Sequence, residues 1–335
     1  MKIGVVGAGG WGTALAKLLT ENGHDVTIWS HEKETMVEIN ESHSNQCFLP
    51  DVKLPEALVA SNDPEEVASG AELITFVVPS QWLRSTSKLF ASFISSTMLV
   101  VNAGKGIDKQ TLKPLTQVLK EELAVPDNQI VVLSGPNHSE EVSRKIPSAT
   151  VVAAPELKIA EIVQEAFISP YFRVYTNLDR LGVEMGGALK NVFAMAAGVS
   201  DGLNYGDNTK AALVTRALAE MCRLGEIMGA QPLTFSGLSG LGDLYVTTAS
   251  KHSRNAWAGR QIGKGRSLEE ILASTPMVIE GVPTTKAAYS LSKKYQVELP
   301  IIEKMFQILF EGYSPRQAVI DLMNRERRHE IESIL

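Results

Sequence analysis

The chain has 335 residues, 44% of them hydrophobic and 21% charged, which is more than one compact domain usually holds and apolar enough to fill two cores. Its 32 basic and 38 acidic side chains leave a net charge of -6, a balance that argues against a dedicated nucleic-acid surface but not against a local positive pocket for an anionic metabolite. Cys47 and Cys222 lie far apart without a CxxC pair, so neither a disulfide framework nor a thiolate metal site is expected.

Residues 2–6 (KIGVV) read as an apolar strand. No basic leader or small-residue cleavage site precedes it, and no run of about 18 apolar residues occurs anywhere, so a cytoplasmic protein without stable membrane insertion is expected. Residues 11–22 (WGTALAKLLTEN) have a helical pattern that stops at Gly23, and residues 25–30 (DVTIWS) return as a strand, which opens a βαβ unit. Residues 73–78, 98–102, 130–133 and 149–153 continue as apolar strands, with a helix predicted over 109–122. Strands that barely alternate suit a parallel sheet covered on both faces. Beyond Asp179 the long periodic segments are helical, at 184–197, 210–228 and 301–310. The expected fold class is therefore an α/β Rossmann-type N-terminal domain with a mainly parallel sheet (1–179) and an all-helical C-terminal domain (180–335). The boundary is placed near 176–184.

Gly7, Gly9 and Gly12 form G-x-G-x-x-G between the first strand and the first helix. The first glycine allows the tight turn, the second lets backbone approach a pyrophosphate, and the third permits close helix–strand packing, while helix N–H groups face the phosphates. This predicts dinucleotide binding without separating FAD from a nicotinamide cofactor. An NAD-specific site usually places a carboxylate at the tip of the second strand. Here the tip reads Trp29, Ser30, His31, Glu32, Lys33. His31 and Lys33 suit a 2'-phosphate, His31 with full charge only when protonated; alternatively both are solvated and Glu32 meets the ribose.

Hydride chemistry at an alcohol carbon needs an acid/base group and charge stabilisation at the oxygen. None of the six histidines sits in a convincing catalytic frame; His138 and His252 adjoin interesting loops but read as local structure. Lys105 lies between two glycines just past the fourth strand, the sheet edge where ligands bind in α/β folds. Lys190 shares a helical face with Gly186, Gly187, Ala194 and Ala197, a face suited to close contact with another helix or a cofactor ring. Partial desolvation there would lower the lysine pKa towards a useful acid/base range. Asp243 follows a glycine run and can orient a lysine or bind a hydroxyl. Arg254 and Asn255, near a predicted helix start, suit a phosphate, and residues 134–139 (SGPNHS) form another strand-end loop. No metal constellation is evident, and hydride transfer requires none.

Several motifs in order carry a family resemblance: GAGGWGTALA at 7–16, VPSQWLR at 78–84, NAGKGI at 102–107, SGPNHSEE at 134–141, EMGGALKNV at 184–192, GLSGLGDL at 237–244 and SRN at 253–255. Over nearly its whole length the chain resembles bacterial NAD(P)-dependent glycerol-3-phosphate dehydrogenases. The resemblance implies a reversible hydride transfer between NADPH/NADP+ or NADH/NAD+ and the glycerol 3-phosphate–dihydroxyacetone phosphate pair. It also implies a role in glycerophospholipid synthesis, a homodimer, and a helical domain akin to the C-terminal domain of 6-phosphogluconate dehydrogenase. It makes Lys190 the general acid/base, Lys105 a contact to substrate and cofactor, and Asp243 part of the catalytic group. Gly135, Asn137, Ser253, Arg254 and Asn255 become substrate positions. Gly10, Trp11, His31, Ser139, Arg254, Val278 and Glu280 become cofactor positions. The chain departs from the family pattern at Asn137 (commonly Ser or Thr), Ser139 (commonly Ala) and His31 (commonly Arg). The last implies a weaker, more pH-dependent grip on a 2'-phosphate. Two rival readings remain: a hydroxy-acid dehydrogenase, whose carboxylate Arg254 would also hold, and a non-catalytic cofactor sensor.

Overall fold

The computed structural model describes residues 1–250, 253–275, 277–327 and 329–330; His252 lies outside them. The chain divides into two compact units, Met1–Asp108 with Lys113–Glu184, and Lys109–Leu112 with Met185–Leu335.

The first unit alternates strand and helix. It runs β1 (Lys2–Val6), α1 (Gly10–Glu21), β2 (Asp25–Trp29), α2 (Lys33–Ser42), β3 (Val59–Ser61), α3 (Pro64–Ala68), β4 (Leu73–Phe76), α4 (Leu83–Phe90), β5 (Leu99–Asn102), α5 (Leu115–Glu122), β6 (Ile130–Ser134), α6 (Ser139–Ser143), β7 (Ser148–Ala153), α7 (Leu157–Phe167) and β8 (Phe172–Asn177). The sheet order is β3-β2-β1-β4-β5-β6-β7-β8. All pairs are parallel except β6 with β7. The chain reverses its winding between β1 and β4, the switch point at which a doubly wound sheet opens a crevice beyond its carboxyl ends. Alternate residues of the central strands feed two cores: Ile3, Val5, Val101 and Val131 on one face, Val6, Ile74, Phe76 and Val100 on the other. Burying such a side chain stabilises by about 1.5–3 kcal/mol, so two-sided burial explains why these strands read as continuous apolar runs.

The helix predicted over 109–122 is shorter than expected: α5 begins at Leu115, with Pro114 as its N-cap. Proline is poorly tolerated in a helix interior, and Asp108 N–H instead closes a turn on Lys113 O at 3.0 Å. β3 and β8 were not anticipated.

Among its described residues, the regular elements of the second unit are all helical. The long helix α8 (Arg180–Gly202) continues into it from the first unit. Then follow α9 (Asp207–Ile227), α10 (Asp243–Ala249), α11 (Arg254–Gly263), α12 (Leu268–Ala273), α13 (Gly281–Tyr295), α14 (Pro300–Phe310) and α15 (Pro315–Met323). The start of α8 is capped by Asp179, whose Oδ1 accepts from Gly182 N–H at 2.9 Å. Glycines let α8 and α11 touch backbone to backbone. A Cβ at Gly198 would lie 2.1 Å from Ala256 O, and one at Gly259 would lie 2.0 Å from Met195 O. No described helix is long and apolar enough to cross a membrane.

Candidate active site

The turn after β1 has the backbone that its glycines predict. Gly7 has φ +115°, and a Cβ on Gly12 would sit 1.9 Å from Gly7 O, so neither position tolerates a side chain. Gly9 differs: its missing Cβ meets nothing within 4 Å. Thr13 N–H makes the first intrahelical bond, to Gly9 O at 2.9 Å, which leaves the preceding N–H groups of α1 pointing past the turn. An open glycine beside helix N–H donors fits a dinucleotide pyrophosphate. Trp11, in the first turn of α1, packs its half-buried ring against the core. A Cβ on Gly10 would lie 3.2 Å from Ser139 Oγ and 2.6 Å from Phe48 O, so α6 and the 45–49 loop crowd the same turn. The fully buried Asn45 ties that loop down, donating to Ala8 O and to Thr13 Oγ1, both at 2.8 Å.

At the tip of β2, His31, Glu32 and Lys33 are all exposed, and no carboxylate stands at the strand end itself. The His31 ring lies 5.9 Å from that of Trp29, tilted by 48°.

Two more loops leave the carboxyl ends of neighbouring strands. After β5, half-buried Lys105 donates to Gly135 O at 3.0 Å; after β6, Asn137 N–H donates to the same oxygen at 2.9 Å. Gly135 cannot carry a Cβ without meeting Thr150 Cα at 2.9 Å. The Asn137 amide donates to Ala149 O at 2.9 Å, whereas its Oδ1 is buried without a protein partner. A buried acceptor of this kind costs about 1–3 kcal/mol unless something donates to it; a ligand hydroxyl or amide is suited to do so.

The second unit assembles a separate cluster. Lys190, on α8, is 7% exposed, and Asp243, at the start of α10, is 1% exposed. Lys190 Nζ donates to Asp243 Oδ1 at 2.7 Å and to Thr247 Oγ1 at 2.7 Å, and Thr247 Oγ1 donates to Asp243 Oδ1 at 3.1 Å. Burial disfavours a lone ammonium, and the adjacent carboxylate offsets that penalty. A single π-turn (Leu238–Gly242) delivers Asp243 to the lysine. Its backbone packs on Gly186, where a Cβ would lie 2.8 Å from Ser239 O. The small-residue face thus serves helix and turn packing around Lys190. Next to Lys190, Asn191 Oδ1 accepts from Asn255 Nδ2 at 2.9 Å, and Asn255 Oδ1 accepts from Gly281 N–H at 2.9 Å. Ser253 caps α11, its Oγ accepting from Ala256 N–H at 3.1 Å; Arg254 is exposed on the first turn. Val278 and Glu280 are half-buried and immediately precede α13. Among the described residues, no group of three or more His, Cys, Asp or Glu side chains is arranged to hold a metal ion.

Sequence reasoning missed Thr247, Asn191 and Asn45. Thr247 had a signal, since it stands four residues after Asp243 and so shares its helix face. Asn45 had none, because its partner Ala8 is 37 residues away.

A doubly wound sheet with this glycine turn, joined to a helical unit holding a buried lysine–carboxylate pair, defines the class of NAD(P)-dependent dehydrogenases. The profiles of the NAD-dependent glycerol-3-phosphate dehydrogenase N-terminus and C-terminus match residues 2–160 and 179–320. The chain is 48% identical over 335 residues to a glycerol-3-phosphate dehydrogenase [NAD(P)+] of Shouchella clausii, covering 99% of this chain and 98% of the relative. It is 49% identical over 336 residues to that of Bacillus cytotoxicus, with the same coverage. The crystal structure of glycerol-3-phosphate dehydrogenase from Coxiella burnetii superposes with a TM-score of 0.92 at 35% identity, covering 96% of this chain and 98% of that one. The chain belongs to the NAD(P)-dependent glycerol-3-phosphate dehydrogenase family, and its first unit is the family's NAD(P)-binding domain.

Proposed function

We propose that this protein interconverts glycerol 3-phosphate and dihydroxyacetone phosphate, with Lys190 as the acid/base. The observation that carries the reading is the buried Lys190 held at 2.7 Å by both Asp243 and Thr247. When bound, the nicotinamide dinucleotide supplies or accepts the hydride at C2 of the substrate. In reduction the Lys190 ammonium gives a proton to the oxygen on C2; in oxidation the neutral amine takes it back. Asp243 fixes the direction of the nitrogen and offsets its charge. Arg254 and Asn255, at the start of α11, bind the substrate phosphate by charge-assisted and backbone hydrogen bonds; Ser253 shapes that turn. Lys105, Gly135 and Asn137 hold the hydroxyl end, and Asn137 Oδ1 gains its donor there.

Gly7, Gly9, Gly10, Trp11, Gly12 and Ser139 form the dinucleotide site, to which Lys105, Arg254, Val278 and Glu280 add contacts. His31 and Lys33 meet a 2'-phosphate, so the protein uses NADPH as well as NADH. Residues 1–179 act as the cofactor domain and 180–335 as the substrate domain of a cytoplasmic homodimer that supplies glycerol 3-phosphate to glycerophospholipid synthesis.

The test follows oxidation of NADPH and of NADH with dihydroxyacetone phosphate, in the intact protein and in Lys190→Ala. Turnover that falls by about 100-fold to 10,000-fold in the variant, with cofactor binding retained, supports the reading. Intact, cofactor-binding protein that fails to turn over the phosphate would sink the substrate assignment. Undiminished turnover in Lys190→Ala would remove the lysine from its role.

A further inference from the structure

Glu184 is fully buried in the first unit, and neither the dinucleotide turn nor the substrate reading uses it. It stands near the start of α8 at 3% exposure. Three donors converge on its carboxyl group. Oε1 accepts from Thr116 N–H at 2.8 Å and from Asn102 Nδ2 at 3.1 Å, and Oε2 accepts from Thr116 Oγ1 at 2.6 Å. Burying a carboxyl group at this depth is costly unless every lone pair is used productively. A methionine or leucine would fill the space at less expense.

The geometry points to Glu184 as a positioning residue for Lys105, acting through the amide of Asn102. This inference rests on Lys105 being the substrate contact proposed above. Asn102 ends β5 and is itself fully buried. Its Oδ1 accepts from Gly104 N–H at 3.1 Å, and its Nδ2 also donates to Gly104 O at 3.3 Å. An asparagine amide has two nearly isosteric orientations, and its partners decide between them. Only Nδ2 can face the acceptor Glu184, so Oδ1 is left to face Gly104 N–H. In the flipped amide, Nδ2 would meet the Gly104 donor and Oδ1 would meet the Glu184 oxygen, and both contacts would be lost. Glu184 therefore reinforces, at 3.1 Å, the amide orientation that grips both backbone groups of Gly104, the residue before Lys105. That turn has little slack, because a Cβ at Gly104 would come within 2.9 Å of Val78 O.

The other end of the loop is held independently. Buried Asp108 pairs with Arg84 Nη2 at 3.2 Å, so the segment beyond Lys105 keeps an anchor that does not depend on Glu184, although Thr116 at the start of α5 loses its acceptor when Glu184 is removed. The loss expected is therefore in where the Lys105 ammonium sits, with the loop itself remaining in place. Burial pushes the Glu184 carboxyl up, opposed chiefly by its bonds from Thr116. The network survives either protonation state: a protonated Oε2 can donate to Thr116 Oγ1 while Oε1 still faces Asn102. For the same reason Glu184→Gln can keep the arrangement, with its Oε1 facing Asn102 and its Nε2 facing Thr116 Oγ1.

The test is a double-mutant cycle on the full-length protein, with Glu184→Ala, Lys105→Ala and the pair, measuring KM for dihydroxyacetone phosphate, kcat and cofactor affinity. Glu184→Ala should raise KM roughly tenfold to a hundredfold, with a smaller change in kcat. Glu184→Gln should recover most of that affinity. In the Lys105→Ala background, Glu184→Ala should add little, because the group it positions is gone. Effects that multiply in the pair would overturn the inference and reduce Glu184 to a packing role. A Lys105→Ala variant with unchanged KM would instead sink the Lys105 reading on which the inference rests. If Glu184→Ala does not fold, Asn102→Ala replaces it in the same cycle. It removes the Gly104 clamp while leaving the Thr116–Glu184 bonds, and the same masking by Lys105→Ala is expected.

Discussion

The glycine turn and the lysine cluster are built by opposite strategies. The turn is made within six consecutive residues, where Gly7 and Gly12 have a local steric reason and Gly9 leaves an open approach. The cluster gathers Lys190 and Asn191 from α8, Asp243 and Thr247 from α10, and Asn255 from α11, spanning 64 residues between Asn191 and Asn255. A local device should fail position by position. An assembled one should fail as a unit, because each polar group there satisfies another in a region with little water.

The largest effect should come from Gly12→Ala, whose Cβ would meet Gly7 O at 1.9 Å. A clash with backbone cannot be relieved by a side-chain rotation and forces the main chain to shift, so stability and dinucleotide binding should fall together. Gly9→Ala is the sharper comparison. Its Cβ meets nothing, and its φ of -68° suits any residue. The melting temperature should stay within error while NADPH affinity drops roughly tenfold or more. Equal loss of melting temperature in the two variants would break the position-by-position picture of the turn.

Asp243→Asn comes next and tests the assembled site. The side chain keeps its shape and one acceptor oxygen but leaves the Lys190 ammonium without its buried counter-charge. Removing one member of a buried pair costs about 3–5 kcal/mol. Turnover should fall by about 100-fold, and the melting temperature should fall with it. Gly12→Ala shares this joint loss, so the contrast that separates the cluster from the turn is with Gly9→Ala, which affects binding alone. A variant that keeps wild-type stability while losing turnover would show that Lys190 does not depend on Asp243 for its burial.

How much of this was legible in the sequence follows the same division. The turn was readable because its causes lie within six residues. The parallel sheet was readable because strands buried on both faces advertise themselves as apolar runs. β8 was missed because it alternates buried and exposed residues (Phe172 and Val174 inward, Arg173 and Tyr175 outward) and so carries a weaker apolar signal. The antiparallel entry of β7 left no trace either, since a buried strand reads alike in both directions. Lys190 stood out by its small neighbours, although that face packs partly on a π-turn whose position no local pattern declares. Thr247 and Asn191 escaped because polar residues acquire meaning only from partners on other helices.

Glu220 tests whether buried carboxyls throughout the molecule serve ligand-side loops, or whether some serve only the fold. It is fully buried in the second unit, and its two oxygens accept from Ile301 N–H at 2.7 Å and Ile302 N–H at 3.2 Å, the first turn of α14. Burial pushes its pKa up to about 7, against the opposing pull of those two N–H donors. The folded protein therefore holds a proton that the unfolded chain releases near pH 4.5. Stability from this group is fully present below about pH 4.5 and is lost as pH rises through about 7. Carboxylates held low by partners, such as Glu21 and Asp127, act with the opposite sign but below the ordinary carboxylate range, outside this window. In Glu220→Gln the titration disappears. One of the two N–H bonds is lost as well, a pH-independent cost of about 1 kcal/mol, so the slope of stability with pH is the discriminating quantity. Between pH 5 and 8 the intact protein should lose a few kcal/mol more than the variant, measured by denaturant unfolding at each pH. Turnover at the pH of maximum stability should be the same in both, because α14 carries none of the proposed site residues. Parallel slopes would mean that Glu220 is already ionised in the folded state, with the α14 N–H donors outweighing its burial.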